Sequence, residues 1–89
     1  MAERFKSVFD ALAHSPEEAL NMQLRAGLVR EIRARVSAEG WTQLESARRL
    51  GVTQPRISDL LNGKLSKFSL DTLVNMLARL GGKVDLRVA

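Results

Sequence analysis

The spacing of apolar positions divides the chain into helices of unequal length. Phe5, Val8, Phe9 and Leu12 recur at helical spacing and predict a short amphipathic helix over residues 3–13. His14-Ser15-Pro16 breaks that pattern. Ser15 is suited to an N-cap, Pro16 is pre-set for a first helical position, and Glu17 and Glu18 complement the dipole of the turn they would open. A second pattern then runs from residue 16 through Leu20, Leu24, Leu28, Ile32 and Val36 to about residue 39, where Gly40 supplies a left-handed stop. Its weak point is Gly27. Two helices of about two turns follow: Thr42 caps residues 43–50, which end at Gly51, and Thr53 caps a helix that begins Gln54-Pro55 and runs to about residue 62, before Gly63. Ser69 and Thr72 open a last helix on the repeat Leu70, Leu73, Leu77, Leu80, closed by Gly81-Gly82. Beyond it the period changes. Lys83-Val84-Asp85-Leu86-Arg87-Val88 alternates polar and apolar residues, as a half-buried strand does.

Composition narrows the class. A chain of 89 residues has room for one core, and a domain this small buries only roughly 60% of its unfolded surface. Aromatic residues make up 4%, which disfavours a β-sandwich. The absence of cysteine removes disulfides, thiolate zinc sites and cysteine nucleophiles, and fits a reducing, cytoplasmic setting. No apolar run approaches the roughly 18 residues that span a bilayer, and no basic segment leads into one at the start, so neither export nor membrane insertion is expected. With one histidine, placed in a loop, and carboxylates scattered over helices, no nucleophile–base pair and no ligand set emerges. The chain is expected to be neither an enzyme nor a holder of metal or cofactor.

Charge is unevenly placed. The net charge is +4, but residues 1–41 hold six basic and six acidic residues, whereas residues 42–67 hold five basic residues against Glu45 and Asp59. A polyanionic partner is therefore sought in the middle of the chain. Arg30, Arg33 and Arg35 are expected to form an ordinary solvated face, with Glu31 and Glu39 nearby. Trp41 is expected in the core or as a lid over it.

That same middle stretch consists of two short helices joined across Gly51-Val52-Thr53, the sequence form of a helix-turn-helix. Ala47 is small where the two helices cross, and Gly51 suits a left-handed turn residue. Val52, Ile57 and Leu60 provide the apolar face that meets Leu44, Ala47 and Leu50. The run Thr-Gln-x-x-x-Ala-x-x-x-Gly-Val-Thr-Gln-Pro-x-Ile-Ser-x-Leu-Leu-Asn-Gly-Lys, residues 42–64, resembles the helix-turn-helix of the phage repressor and Cro superfamily, the xenobiotic-response-element (XRE) type. Val-Phe-x-x-Leu at residues 8–12, Lys-Phe-Ser-Leu-x-x-Leu at residues 67–73 and the Leu-Gly-Gly ending are similar to HigA-type antitoxins and related stand-alone regulators.

The resemblance implies a recognition helix over residues 53–62 whose exposed face presents Gln54, Pro55, Arg56, Ser58 and Asp59 to DNA bases. Gln54 suits a bidentate contact to adenine and Arg56 one to guanine. Pro55 suits shape and thymine-methyl contact. Asp59 either accepts from cytosine or orients Arg56. Thr42, Gln43, Thr53, Asn62, Lys64 and Lys67 are the implied phosphate contacts.

The final strand has no mate within the chain. It either pairs with a second copy across a two-fold axis, with Val84, Leu86 and Val88 covering the helices as dimerisation residues, or it frays. The architecture expected is thus all-α: a five-helix repressor-like domain with a short C-terminal β-strand that pairs between subunits. Its parts are an N-terminal amphipathic helix or arm (residues 1–14), a helix-turn-helix domain (residues 15–82) and a dimerisation strand (residues 83–89). The function implied is a homodimeric, sequence-specific regulator of transcription, a repressor that controls its own promoter, bound to double-stranded DNA at a palindromic operator. The alternative is an antitoxin that also neutralises a small toxin, with the helix of Phe5, Phe9 and Leu12 as the masking surface.

Overall fold

The structure, a computed structural model, describes residues 15–89. The amphipathic helix expected over residues 3–13, with His14, lies outside the described residues. Four α-helices follow one another: α1 (Pro16–Glu39), α2 (Gln43–Leu50), α3 (Gln54–Leu61) and α4 (Leu70–Arg79), with one 3-10 turn (Leu65–Lys67) between the last two. Each begins at a hydroxyl that accepts from an otherwise unpaired amide of its first turn. The Glu18 N–H donates to Ser15 Oγ and the Glu45 N–H to Thr42 Oγ1, both at 3.1 Å. The Arg56 N–H donates to Thr53 Oγ1 at 3.4 Å and the Thr72 N–H to Ser69 Oγ at 3.1 Å.

The core is the common meeting place of the four. Val29, Ile32 and Val36 from α1 meet Ala47 and Leu50 from α2, Ile57 and Leu60 from α3, and Leu73, Met76 and Leu77 from α4, with Phe68 between the last two helices. The 3,4 spacing of the α1 residues makes one stripe. Only the second half of α1 carries it. Leu24 and Leu28 are half-buried and Leu20 is 58% exposed, so the leucines that announced the helix lie largely to one side of the core. Leu44, expected against α3, is 67% exposed, whereas Ala47 and Leu50 are buried in the core with Ile57 and Leu60.

Two expectations need correction. The described residues hold four α-helices rather than five, and they hold no strand. Residues 83–89 have no regular secondary structure. The physical reason is the one that made the strand awkward: a ladder needs backbone donors and acceptors opposite it, and the described residues beside the tail belong to helices, whose backbone groups are already bonded. The alternating pattern has a different expression. Val84 and Leu86 edge a shallow apolar groove with Leu24, Gly27, Leu28, Leu70 and Val74, between α1 and α4. The contact fades outward, since Val84 is 51% exposed, Leu86 64% and Val88 88%.

The two glycines that matter have opposite characters. Gly51 has φ +69°, and a β-carbon there would fall 2.7 Å from Arg79 Cζ. Gly27 sits within the unbroken α1 helix, where a β-carbon would meet nothing closer than Arg30 Nη2 at 3.9 Å. Gly27→Ala is therefore expected to stabilise the fold by about 1 kcal/mol and Gly51→Ala to destabilise it by about 1–2 kcal/mol. Urea unfolding of the two variants beside the wild type checks the pair of signs.

Candidate nucleic-acid interface

The turn between α2 and α3 fixes how the second helix is displayed. Gly51 caps α2 in the left-handed region, and the Val52 N–H returns to the Ala47 carbonyl at 3.0 Å. Ala47 is thus both the small residue at the crossing and the acceptor that closes the turn. Ile57 and Leu60 are fully buried beneath α3, which leaves its first turn outward: Gln54, Pro55 and Arg56 are all exposed. Ser58 and Asp59 are half-buried. Of the five residues implied as base contacts, the structure therefore gathers three on one open turn and sets two at its edge.

Asp59 and Arg56 have separate partners. Asp59 Oδ1 lies 3.6 Å from Lys64 Nζ. Arg56 Nη1 donates to the Lys67 carbonyl at 2.7 Å, and its guanidinium carbon stands 5.9 Å from the centre of the Phe68 ring. Arg56 is held by the Lys67 backbone and the Phe68 face, and Asp59 by Lys64. One N–H of the guanidinium is used in this way, and the planar group has five.

The implied phosphate contacts lie at the starts of α2 and α3 and on the segment after α3. Thr42, Gln43 and Thr53 are exposed at the starts of α2 and α3, and each threonine hydroxyl, accepting from a backbone amide, keeps its proton as a donor. Asn62, Lys64 and Lys67 lie on the segment that follows α3, with Lys64 and Lys67 in reach of solvent. The Lys67 side chain has no ion pair among the described residues.

The cations of α2 are engaged. Arg48 reaches Glu45 through two bonds, Nη2 to Oε1 at 3.0 Å and Nε to Oε2 at 3.2 Å, and Arg49 Nε reaches Glu45 Oε1 at 2.8 Å. These hydrogen bonds, from Arg48 first and then Arg49, hold the Glu45 carboxyl below its ordinary pKa. Arg49 also lies over the half-buried Trp41, 5.1 Å from the ring centre.

One residue of consequence carried no role in the sequence. Arg25 Nη1 donates to the carbonyls of Leu65 at 3.0 Å and Phe68 at 3.4 Å, tying the 3-10 turn to α1. The signal was present: Arg25, Val29, Ile32 and Val36 share one helical stripe, and a cation on a core stripe calls for acceptors. Among the described residues no three His, Cys, Asp or Glu side chains converge as a metal-binding group. None of their helices is long and apolar enough to cross a membrane.

A helix-turn-helix domain family matches residues 11–89, almost the whole chain. The chain belongs to that family. A protein solved as "Putative XRE Family Transcriptional Regulator" is 30% identical and superposes with a TM-score of 0.72 over 78% of each chain. "Putative antitoxin HigA2" of Mycobacterium tuberculosis is 33% identical over 66 residues, 74% of this chain and 62% of that protein. The matched stretch thus spans less than two thirds of the relative's length. Together these make the domain an XRE-type, HigA-like helix-turn-helix, with the family and fold of DNA-binding regulators.

The Glu45 cluster predicts a pH dependence. A carboxyl with a depressed folded-state pKa contributes stability that is fully present above its unfolded value and is lost as pH falls through the lower folded one. Thermal unfolding scanned from about pH 7 to about pH 2 should therefore fall less steeply at the acid end for Glu45→Gln than for the wild type. Parallel acid limbs would deny the cluster any net effect.

Proposed function

We propose that this helix-turn-helix protein is a sequence-specific, DNA-binding transcriptional regulator, a repressor of its own promoter, acting as a homodimer on a palindromic operator. The observation that carries the reading is the exposed first turn of α3, held outward by the burial of Ile57 and Leu60. Gln54 reads adenine, Arg56 reads guanine, and Pro55 sits against a thymine methyl, with Ser58 and Asp59 at the edge of the contact. The amide-rich starts of α2 and α3, with Thr42, Gln43 and Thr53, and the segment with Asn62, Lys64 and Lys67 hold phosphates on either side.

Two copies related by a two-fold axis set their recognition helices about 34 Å apart, one turn of the duplex. Side chains rather than a strand ladder join them in this reading. Val84, Leu86 and Val88 are exposed on the tail, and Leu20 and Val74 add to the apolar surface of α1 and α4. A domain of this size gains more from covering such a surface than a larger one does.

The likeness to a protein named as an antitoxin favours a second role beside the first, neutralisation of a small toxin. Its proposed surface, Phe5, Phe9 and Leu12, belongs to the segment outside the described residues. Co-expression with the product of any small neighbouring reading frame tests it: rescue of growth and co-purification support the role, and their absence removes it.

Duplexes selected from a random pool should yield a palindrome. On that site Gln54→Ala and Arg56→Ala should each relax preference at one base pair per half-site, by about 1–3 kcal/mol, whereas Lys67→Ala should weaken all sequences alike. Because Arg56 also braces the Lys67 carbonyl, its variant is compared with the wild type in thermal unfolding first. Unchanged base preference in both variants would defeat the assignment of readers.

The dimer has its own test. Leu86→Asp is expected to shift the sedimenting species from dimer to monomer and to weaken binding to the full palindrome more than to a half-site. An undiminished dimer would place the interface elsewhere.

A further inference from the structure

The solvated face expected for the arginines of α1 divides in two. Glu31 Oε1 accepts from Arg35 Nε at 2.9 Å, so the nearest carboxylate is committed to Arg35. Arg30 and Arg33 are both exposed, and neither has an ion pair among the described residues. Separated by three positions, they share a side of the helix with Ala34 and Ser37, whereas Arg35, two positions beyond Arg33, points elsewhere.

This side of α1 meets the end of the recognition helix. Arg30, Arg33, Ala34 and Ser37 line a cleft whose opposite wall is Leu61, the last residue of α3. Arg33 Nη1 comes within 3.8 Å of the point where a β-carbon would stand on Gly63. Gly63 lies between Asn62 and Lys64, both assigned above to phosphate contact. The cleft is therefore continuous with the segment that follows α3, and two uncompensated guanidinium groups face it. Ser37 adds a hydroxyl donor. A guanidinium's parallel N–H donors match the two free oxygens of a phosphodiester, which makes arginine the suited cation for such a site.

We propose that Arg30 and Arg33 form a backbone clamp that extends the DNA contact from the recognition helix onto α1, each neutralising one phosphate of the duplex. The assignment rests on the DNA-binding function proposed above. It adds affinity without sequence preference, because phosphates carry no base identity.

Salt titration separates the possibilities. Affinity for the selected operator and for a scrambled duplex is measured by fluorescence anisotropy from about 50 to about 200 mM salt, for the wild type, the Arg30→Gln/Arg33→Gln double variant and Arg35→Gln. The double variant is expected to show a slope of log affinity against log salt shallower by about 1.8, at about 0.9 for each phosphate it no longer neutralises, and an equal weakening on both duplexes. Arg35→Gln should keep the wild-type slope. The Arg30→Lys/Arg33→Lys variant, which preserves charge, should recover it, and thermal unfolding of all four proteins excludes loss of fold as the cause. A double variant that folds and keeps the wild-type slope overturns the clamp, as does one that loses affinity for the operator alone. If the wild type itself binds duplexes without a steep dependence on salt, the DNA-binding function falls and the clamp falls with it.

Discussion

The arrangement of the whole domain depends on the close approach of α2 to α3 at a three-residue turn. The left-handed Gly51 and the bond from the Val52 amide to the Ala47 carbonyl give the chain its change of direction. A larger side chain at position 47 would hold the helices apart, and overpacking of that kind typically costs about 1–3 kcal/mol. Arg79, at the end of α4, lies over Gly51, so the last helix seals a turn formed much earlier in the chain. With the turn set, Ile57 and Leu60 can only face inward, and the first turn of α3 can only face out.

The segment after α3 is held by a different device. Phe68 is its one fully buried side chain and Leu65 packs partly against the core, yet it carries the exposed Lys64 and Lys67. Two arginines supply the anchorage through backbone carbonyls: Arg25 from α1, bonded to Leu65 and Phe68, and Arg56 from α3, bonded to Lys67. Fixing the backbone in this way lowers the ordering cost of any contact the lysines make, since what remains to be immobilised is side chain alone. Arg25 achieves it with its Nε buried and unpartnered, a cost that the two carbonyl bonds offset.

The local signals of the chain are the legible part. Ser15, Thr42, Thr53 and Ser69 are readable as caps because the hydroxyl and the amide it satisfies are three residues apart. Gly40 and Gly51 are readable as stops for the same local reason. The first turn of α3 as an exposed surface also follows from motif spacing. What fails depends on where helices lie in space. Leu44 fits the apolar pattern of α2 but lies on its outer side, and Leu20 fits that of α1 yet stands largely in solvent. Alternation over residues 83–88 reads as a strand because period two is ordinarily the mark of one. It equally describes an extended tail that lays alternate residues along a groove, and only the presence or absence of a facing backbone distinguishes the two. The partners of Asp59 and Arg56 are likewise invisible in the sequence, because Lys64 and Lys67 approach α3 only after the chain has turned at Gly63.

The same limit applies to charge. The surplus of residues 42–67 points to a region but not to the cations that remain free within it. There Arg48 and Arg49 share Glu45 and Lys64 faces Asp59, which leaves Arg56, bonded to a neutral carbonyl, and Lys67 without an ion pair among the described residues. Arg30 and Arg33 belong to a half of the chain whose net charge is zero, and they stand uncompensated on the cleft that leads to Gly63. Phosphate affinity follows the field at the contact rather than the sum over a segment, because exposed charges more than about 10 Å apart are largely screened at ordinary salt. An ion pair within the domain removes a cation from that field without altering the count. The electrostatic surface of a small helical domain is thus decided as much by which carboxylates are already taken as by how many basic residues the chain carries.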